Sequence, residues 1–170
     1  MGLPIWMRWL RSVGTISKAA TMLAPDFDRD QFIGDLRLKH ARILPADIVF
    51  NVENGWLPLI AESLAEIEAA LDRHGSVGQA TIRQIKEKLG DLRIYIGPSR
   101  EGYQFSKELA AELAEIRIRS WNASMVTCEV CGDAGVIDSF DGYYQCLCPK
   151  HAGQRRAWIS GGRIGDIFQD

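Results

Sequence analysis

The sequence predicts an α+β protein with a mainly helical N-terminal and central part, a small β-hairpin and a C-terminal zinc ribbon. Three observations carry this prediction. An apolar stripe at helical spacing crosses the middle of the chain, alternating residues mark a strand around 92–96, and paired Cys and Cys/His residues lie near the C-terminus. The expected boundary divides residues 1–125, an α-rich domain, from residues 126–170, the ribbon and a tail.

The N-terminal part contains two predicted helices. Apolar residues recur near helical spacing from Pro4 to Leu23, and this segment carries three basic residues and no acidic one. A second helix is expected from Asp26 to Leu44, where acids come early and bases late, as the helix dipole favours. The apolar residues at 48–52 then predict a short strand.

The central helix has the clearest pattern. Pro58 stands in its first turn and Gly75 follows as a C-terminal stop. Between them, apolar residues recur at intervals of four, three and four and form one stripe, made of Ile60, Leu64, Ile67 and Leu71. The sequence therefore predicts a helix with one buried face here.

The stretch from Thr81 to Ile96 is ambiguous between helix and strand in its first half. Leu89-Gly90-Asp91-Leu92 resembles a hairpin turn, and the alternation after Leu92 is that of a strand, so a hairpin is favoured for the whole stretch. A further helix is expected from Lys107 to Trp121, with Ser106 as its N-cap.

Two ligand pairs near the C-terminus predict a metal site. Cys128 and Cys131 are separated by two residues, as are Cys148 and His151, and this spacing lets each pair reach the same tetrahedral ion. Between the pairs, two short strands flank Asp141-Gly142, a strong two-residue hairpin signal. Two such turns joined by a hairpin predict a zinc ribbon that holds one structural Zn²⁺.

Three alternatives to this site stay open on the sequence. The four cysteines could form disulfides, although that pairing leaves His151 unexplained. Cys146 competes with Cys148 as the third ligand, but only Cys148 has the two-residue spacing to His151. A catalytic zinc needs an open coordination position, whereas four good ligands close the shell.

The rest of the chain offers no recognisable catalytic machinery, so no catalytic residue is assigned and the protein is expected not to be an enzyme. No phosphate loop and no nucleophile elbow occur. Glu62, Glu66 and Glu68 are interpreted as a solvated helix face, and His40 and His74 as surface or helix-end residues. No membrane span or secretory signal is found, and a cytoplasmic location is expected.

The net charge of −2 argues against a dedicated duplex-DNA binder, since the chain has 20 basic and 22 acidic residues and therefore no basic excess. One modest basic segment runs from Arg83 to Arg100, with five basic residues against two acidic ones. A solvated face is the favoured interpretation. Single-stranded nucleic acid would also fit this mixture of charge and aromatic residues, with contacts from Arg83, Lys86, Lys88 and Arg93.

Three segments together resemble a family of small, mostly uncharacterised proteins from bacteriophages and prophages. They are Gly55–Ile60 (GWLPLI), Gln84–Tyr95 (QIKEKLGDLRIY) and the zinc pairs with Leu147–Ala152 (LCPKHA). The chain departs from the family at Leu89, where an aromatic is usual, and at Asp91, where a second glycine is usual. The resemblance implies a zinc ribbon and a phage setting, and it implies no established activity.

These observations together favour a non-enzymatic zinc-binding interaction protein. The expected partner is a host protein or protein complex, in defence or in transcription, that the phage-encoded chain binds or inhibits in the host cytoplasm. The alternative is a nucleic-acid-binding zinc-ribbon module. Neither a membrane partner nor a small-molecule substrate is expected.

Overall fold

A computed structural model describes residues 23–168 of the 170-residue chain. The helix predicted from Pro4 to Leu23 falls outside this range, except for Leu23. The described part contains four α-helices and two small sheets, which confirms the mixture of helix and strand. In chain order the elements are α1 (Arg29–Lys39), β1 (Phe50–Asn51), α2 (Leu57–Arg73), β2 (Ala80–Lys88), β3 (Asp91–Pro98), α3 (Lys107–Ser124), β4 (Val136–Phe140), β5 (Tyr143–Leu147) and α4 (Pro149–Ser160).

Helix α2 is the centre of the apolar core. Its four predicted stripe residues have no exposed surface: Ile60, Leu64, Ile67 and Leu71. Pro58 lies in its first turn, where backbone N–H groups have no partner within the helix, so the N–H that proline lacks costs no hydrogen bond. Gly75 follows the helix with a φ of 61°, a left-handed conformation that glycine adopts without strain. The predicted helix and its stop are confirmed.

The ambiguous stretch is a hairpin, as predicted. Strands β2 and β3 pair antiparallel, with Ile85 opposite Ile94, and β1 joins β2 in parallel as a third strand. Leu89 and Gly90 form the turn, with φ values of 56° and 81°. The sheet places Ile85 and its apolar neighbours against α2 and α3, so the hairpin forms one wall of the core.

Capping side chains fix the bounds of the two flanking helices. Asp28 accepts a hydrogen bond from the N–H of Gln31 at 2.9 Å, so α1 begins later than predicted from composition, and it ends at Lys39. Ser106 caps α3 as predicted and accepts from the N–H of Leu109 at 3.1 Å. Helix α3 continues three residues past Trp121.

Two interpretations of polar residues were wrong. Glu68 is not part of a solvated face and His40 is not on the surface, since they are 8% and 1% exposed. His40 Nδ1 lies 2.7 Å from one carboxylate oxygen of Glu68, and Arg42 Nε donates to the other at 2.8 Å. The buried carboxylate is stable there because both its oxygens have partners.

The second sheet is the predicted hairpin between the ligand pairs. Strands β4 and β5 pair from Val136 opposite Leu147 to Phe140 opposite Tyr143. Asp141 and Gly142 form its turn, with φ values of 56° and 82°. The chain then enters α4 directly, a helix that the sequence interpretation did not include. Within residues 23–168, no helix has the length and apolar character needed to cross a membrane.

Candidate metal centre

The first ligand pair lies in a tight backbone turn. Gly132 N–H donates to the carbonyl of Cys128 at 2.9 Å, and Cys128 N–H donates to the carbonyl of Asp133 at 2.7 Å. Gly132 has a φ of 80°, which favours glycine at the position directly after the second cysteine. We call residues 127–133 the knuckle. Its turn points both sulfur atoms to the same side.

The second ligand pair lies at the start of a helix and not in a second turn. Cys148 is the N-cap of α4 and keeps the extended backbone of β5, with a ψ of 166°. A second tight turn was expected here, and the structure has a helix instead. Pro149 explains this, because it occupies the first turn and its fixed φ suits a helix start. His151 stands on that first turn and is 6% exposed. The ligands are therefore held by regular elements.

The four side chains converge on one point. The ligand atoms of Cys128, Cys131, Cys148 and His151 all lie within 4.8 Å of one another. His151 Nδ1 is 3.3 Å from the sulfur of Cys128 and 3.2 Å from that of Cys148, and the sulfurs of Cys131 and Cys148 are 3.9 Å apart. Around a tetrahedral Zn²⁺ these separations would be about 3.5 Å for nitrogen to sulfur and about 3.8 Å for sulfur to sulfur. The arrangement can hold one metal ion.

The competing thiol lies elsewhere. Cys146 is fully buried and packs in the main apolar core, and its sulfur is not among the four converging ligand atoms. All four cysteines are free thiols in the structure, so it contains no disulfide among them. Cys146 belongs to strand β5, whereas Cys148 lies beyond the end of that strand as the N-cap of α4.

Burial controls the protonation of these thiols. It raises the pKa of Cys128, and it raises the pKa of Cys131 to about 12. Without a positive charge beside them, both thiols therefore hold their protons at neutral pH. Metal binding requires thiolates, so an ion entering this site releases protons and binds more weakly as the pH falls.

The knuckle is tied to the N-terminal half of the chain through its backbone carbonyls. Three alternate residues accept hydrogen bonds from partners far away in sequence. The bonds are Leu23 N–H to Cys131 at 3.1 Å, Gly55 N–H to Glu129 at 2.7 Å, and Trp56 Nε1–H to Thr127 at 2.8 Å. No local pattern in the sequence indicates this contact, although Gly55 and Trp56 belong to the GWLPLI segment.

Gly55 shows how close the contact is. A Cβ added there would lie 2.2 Å from the carbonyl oxygen of Cys128 and 2.5 Å from the nitrogen of Gly132. Both are backbone atoms and cannot rotate away. Only glycine therefore fits between α2 and the knuckle without displacing one of them.

A buried carboxylic acid lies beside the first ligand. Glu129 is 3% exposed, and burial raises its pKa to about 7. The side-chain amide of Gln145 donates to it, and the negative charges of Glu87 and Glu53 raise its pKa further. No motif marked this residue, because its burial depends on β5 and on the β2–β3 turn.

The residues predicted as a nucleic-acid surface all lie on β2 and β3, but most have internal contacts. Lys86 and Arg93 are opposite each other, Lys86 lies over the ring of Tyr95, and Arg93 binds Asp91. Arg83 donates to the carbonyl of Pro98, and Lys88 is paired in register with Asp91. Of these four cations, Arg93 alone forms an ion pair within residues 23–168, and it does so with Asp91.

Comparison of the chain with protein-family models, with curated proteins and with solved structures finds no match.

Proposed function

We propose that Cys128, Cys131, Cys148 and His151 bind one structural Zn²⁺. The single observation that supports this most is the convergence of three sulfurs and one imidazole nitrogen within 4.8 Å. Soft sulfur ligands with one nitrogen at tetrahedral spacing are the set that zinc prefers. Four protein ligands leave no open position for a substrate or an activated water. The knuckle, hairpin and helix α4 then form a ribbon-like module that the ion holds closed.

Metal content tests this proposal directly. The purified protein should hold about one zinc per chain, as a single four-ligand site requires. Cys148→Ser should lose the metal, and Cys146→Ser should keep it, because Cys146 faces the apolar core. Elemental analysis of the three proteins, purified side by side, measures this. Absence of zinc from the unsubstituted protein, or equal loss in both variants, contradicts the site.

We further propose that the protein is a non-enzymatic interaction protein, encoded by a phage and directed at a macromolecular complex of the host. The closed ligand set supports a structural rather than a catalytic ion. The resemblance to phage and prophage proteins supports the setting, and a defence or transcription complex is the target class that such a setting favours. Free thiols in the ligand set suit a reducing compartment, in this case the host cytoplasm.

Affinity purification from host lysate, read by mass spectrometry, tests this second proposal. The zinc-loaded protein should recover a defined host complex in stoichiometric amounts, and Cys146→Ser should recover the same one. Cys148→Ser should recover less, because its module is no longer closed. Turnover of a host metabolite by the zinc-loaded protein, lost in Cys148→Ser, would instead assign an enzyme and overturn the proposal.

A further inference from the structure

The C-terminal quarter of the chain contains a group of basic residues that are not part of the candidate metal site. Residues 142–165 contain four basic residues and no acidic one, in a protein whose net charge is −2. The four cations are Lys150, Arg155, Arg156 and Arg163. All lie on α4 or in the turn after it, and three carboxylates lie beside this group: Asp138, Asp141 and Glu87, the last of which accepts a hydrogen bond from the Tyr143 hydroxyl.

Arg155 is held between two aromatic rings. Its guanidinium carbon lies 5.5 Å from the centre of the Tyr143 ring and 4.9 Å from the Trp158 ring. In residues 23–168 no ion pair involves Arg155 or Lys150. The rings fix the direction of the guanidinium without neutralising it, because a cation–π contact brings no negative charge to it.

Two more arginines flank this group and have only weak internal partners. Arg156 pairs with Asp138 at 2.6 Å, and Arg163 pairs with Asp141. In both pairs each side chain is more than half exposed. Exposed pairs of this kind contribute little free energy, so a phosphate group can replace either carboxylate.

The aromatic residues remain accessible beside the cations. Tyr143 is 50% exposed, and Trp158 is half-buried with its Nε1–H donating to the carbonyl of Gly165 at 2.9 Å. Exposed rings beside fixed arginines suit bases that are free to stack, which duplex nucleic acid does not offer. A protein partner would require a desolvated apolar centre, whereas the exposed Ile164 is a single apolar side chain among Gly161, Gly162 and Gly165.

We propose that Tyr143, Arg155 and Trp158, flanked by Arg156 and Arg163, form a binding surface for single-stranded nucleic acid. The arginines contact phosphates and the rings stack on unpaired bases. The surface differs from the basic hairpin of β2 and β3 in that its central arginine, Arg155, lies between two aromatic rings. It goes beyond the proposed host-complex binding, and it does not depend on which complex is the target.

Fluorescence anisotropy with the full-length, zinc-loaded protein tests the surface. The probe is a labelled oligothymidylate of about 15 nucleotides, with a duplex of equal length as the comparison. We expect binding to the single strand that weakens with salt, with a slope of log K against log salt of about −2 to −3, as three or four phosphate contacts predict. The duplex should bind at least about tenfold more weakly.

Matched variants assign the binding to this surface. Arg155→Ala and Tyr143→Ala should each weaken binding by about tenfold, and Tyr143→Phe should restore it because the ring remains. Arg119→Ala, which removes an exposed arginine from α3, is the charge-matched control and should change affinity by less than about twofold. Zinc content measured on each sample shows that the module is folded.

Four results overturn the proposal. They are no binding at about 50 mM salt, equal binding of the duplex, equal weakening by Arg119→Ala and Arg155→Ala, and equal competition by polyglutamate of the same charge. The last result would show a surface for acidic protein segments instead. Because zinc content is recorded separately, failure of this proposal is distinguishable from failure of the metal site.

Discussion

The two hairpins of the protein have similar turns and different means of support. Each turn pairs a non-glycine residue at a φ of 56° with a glycine near 80°, at Leu89-Gly90 and at Asp141-Gly142. The β2–β3 hairpin has strands of nine and eight residues, and it buries Ile85 completely. The β4–β5 hairpin has two strands of five residues and leaves Val136 72% exposed.

This difference means that the proposed ion would matter more to the second hairpin, whose apolar burial is limited to Phe140, Cys146 and Leu147. A two-stranded hairpin is marginal in water, so two five-residue strands that leave residues such as Val136 exposed need a further source of stability. The four ligands that flank β4 and β5 supply it when an ion joins them. The two hairpins should therefore respond to different perturbations.

The largest expected effect is that of a chelator. Structural zinc sites contribute about 10–16 kcal/mol of apparent binding free energy, which the β4–β5 hairpin loses when the ion is removed. We expect hydrogen exchange to become fast in β4, β5 and the knuckle while β2 and β3 stay protected. The amides around Gly55 should also exchange faster, since they bond to the knuckle. Simultaneous loss of protection in both hairpins would show that the ion supports the whole core.

A core truncation should produce the converse result. Ile85→Ala removes fully buried methyl groups from β2 and should lower the free energy of unfolding by about 2–5 kcal/mol. Its zinc content under native conditions should remain that of the unsubstituted protein. Val136→Ala is the control in the second hairpin, and at 72% exposure it should change stability by less than about 0.5 kcal/mol. Denaturant unfolding measures both values.

The two turns offer a smaller and more specific comparison. Leu89 holds a left-handed backbone with its side chain 64% exposed, a conformation that costs a branched residue about 1–2 kcal/mol. Leu89→Asn should therefore raise the free energy of unfolding by about 1 kcal/mol. Asp141→Asn should change it little, because aspartate already tolerates that conformation. Thermal unfolding of both variants checks the difference, and an equal response would contradict it.

The smallest expected effect is a pH dependence of stability that comes from Glu112, outside both hairpins. Hydrogen bonds from Arg73 and His74 hold the pKa of Glu112 below its ordinary value of 4.5. The folded state therefore binds fewer protons than the unfolded state, and the stabilisation is present above 4.5 and is lost as the pH falls through the lowered pKa. Glu112→Gln should lose a small stability at neutral pH, and the difference from the unsubstituted protein should vanish in acid. Unfolding at a series of pH values measures it.

Local signals predicted much of the fold and the candidate site. The stripe of α2, the Asp141-Gly142 turn and the Ser106 cap each involve residues within a few positions of one another, and all three are present. The ligand set belongs to the same class, since two-residue spacers and a hairpin suffice to bring the pairs together. Periodicity and spacing are properties of short segments, so they can be recognised in the sequence without knowing which distant residues come into contact.

Features that depend on distant partners were missed. Glu68 was placed on a solvated face because its burial follows from His40, which is 28 residues away. Helix α4 was missed because its sequence is polar and has no apolar stripe, and it forms where Pro149 and the ligand His151 fix its first turn. The contact between Gly55 and the knuckle joins residues separated by more than seventy positions, which no local pattern encodes.

The bonds from the knuckle to Leu23, Gly55 and Trp56 have a consequence for how the chain folds during its synthesis. Domains form from the N-terminus as the polypeptide emerges at about 5–20 residues per second. The carbonyls that receive Gly55 and Trp56 belong to residues 127–131, and the last metal ligand is His151. The start of α2 therefore stays unfinished until nearly the whole chain is available. Trp56 would be accessible to chaperones throughout that interval.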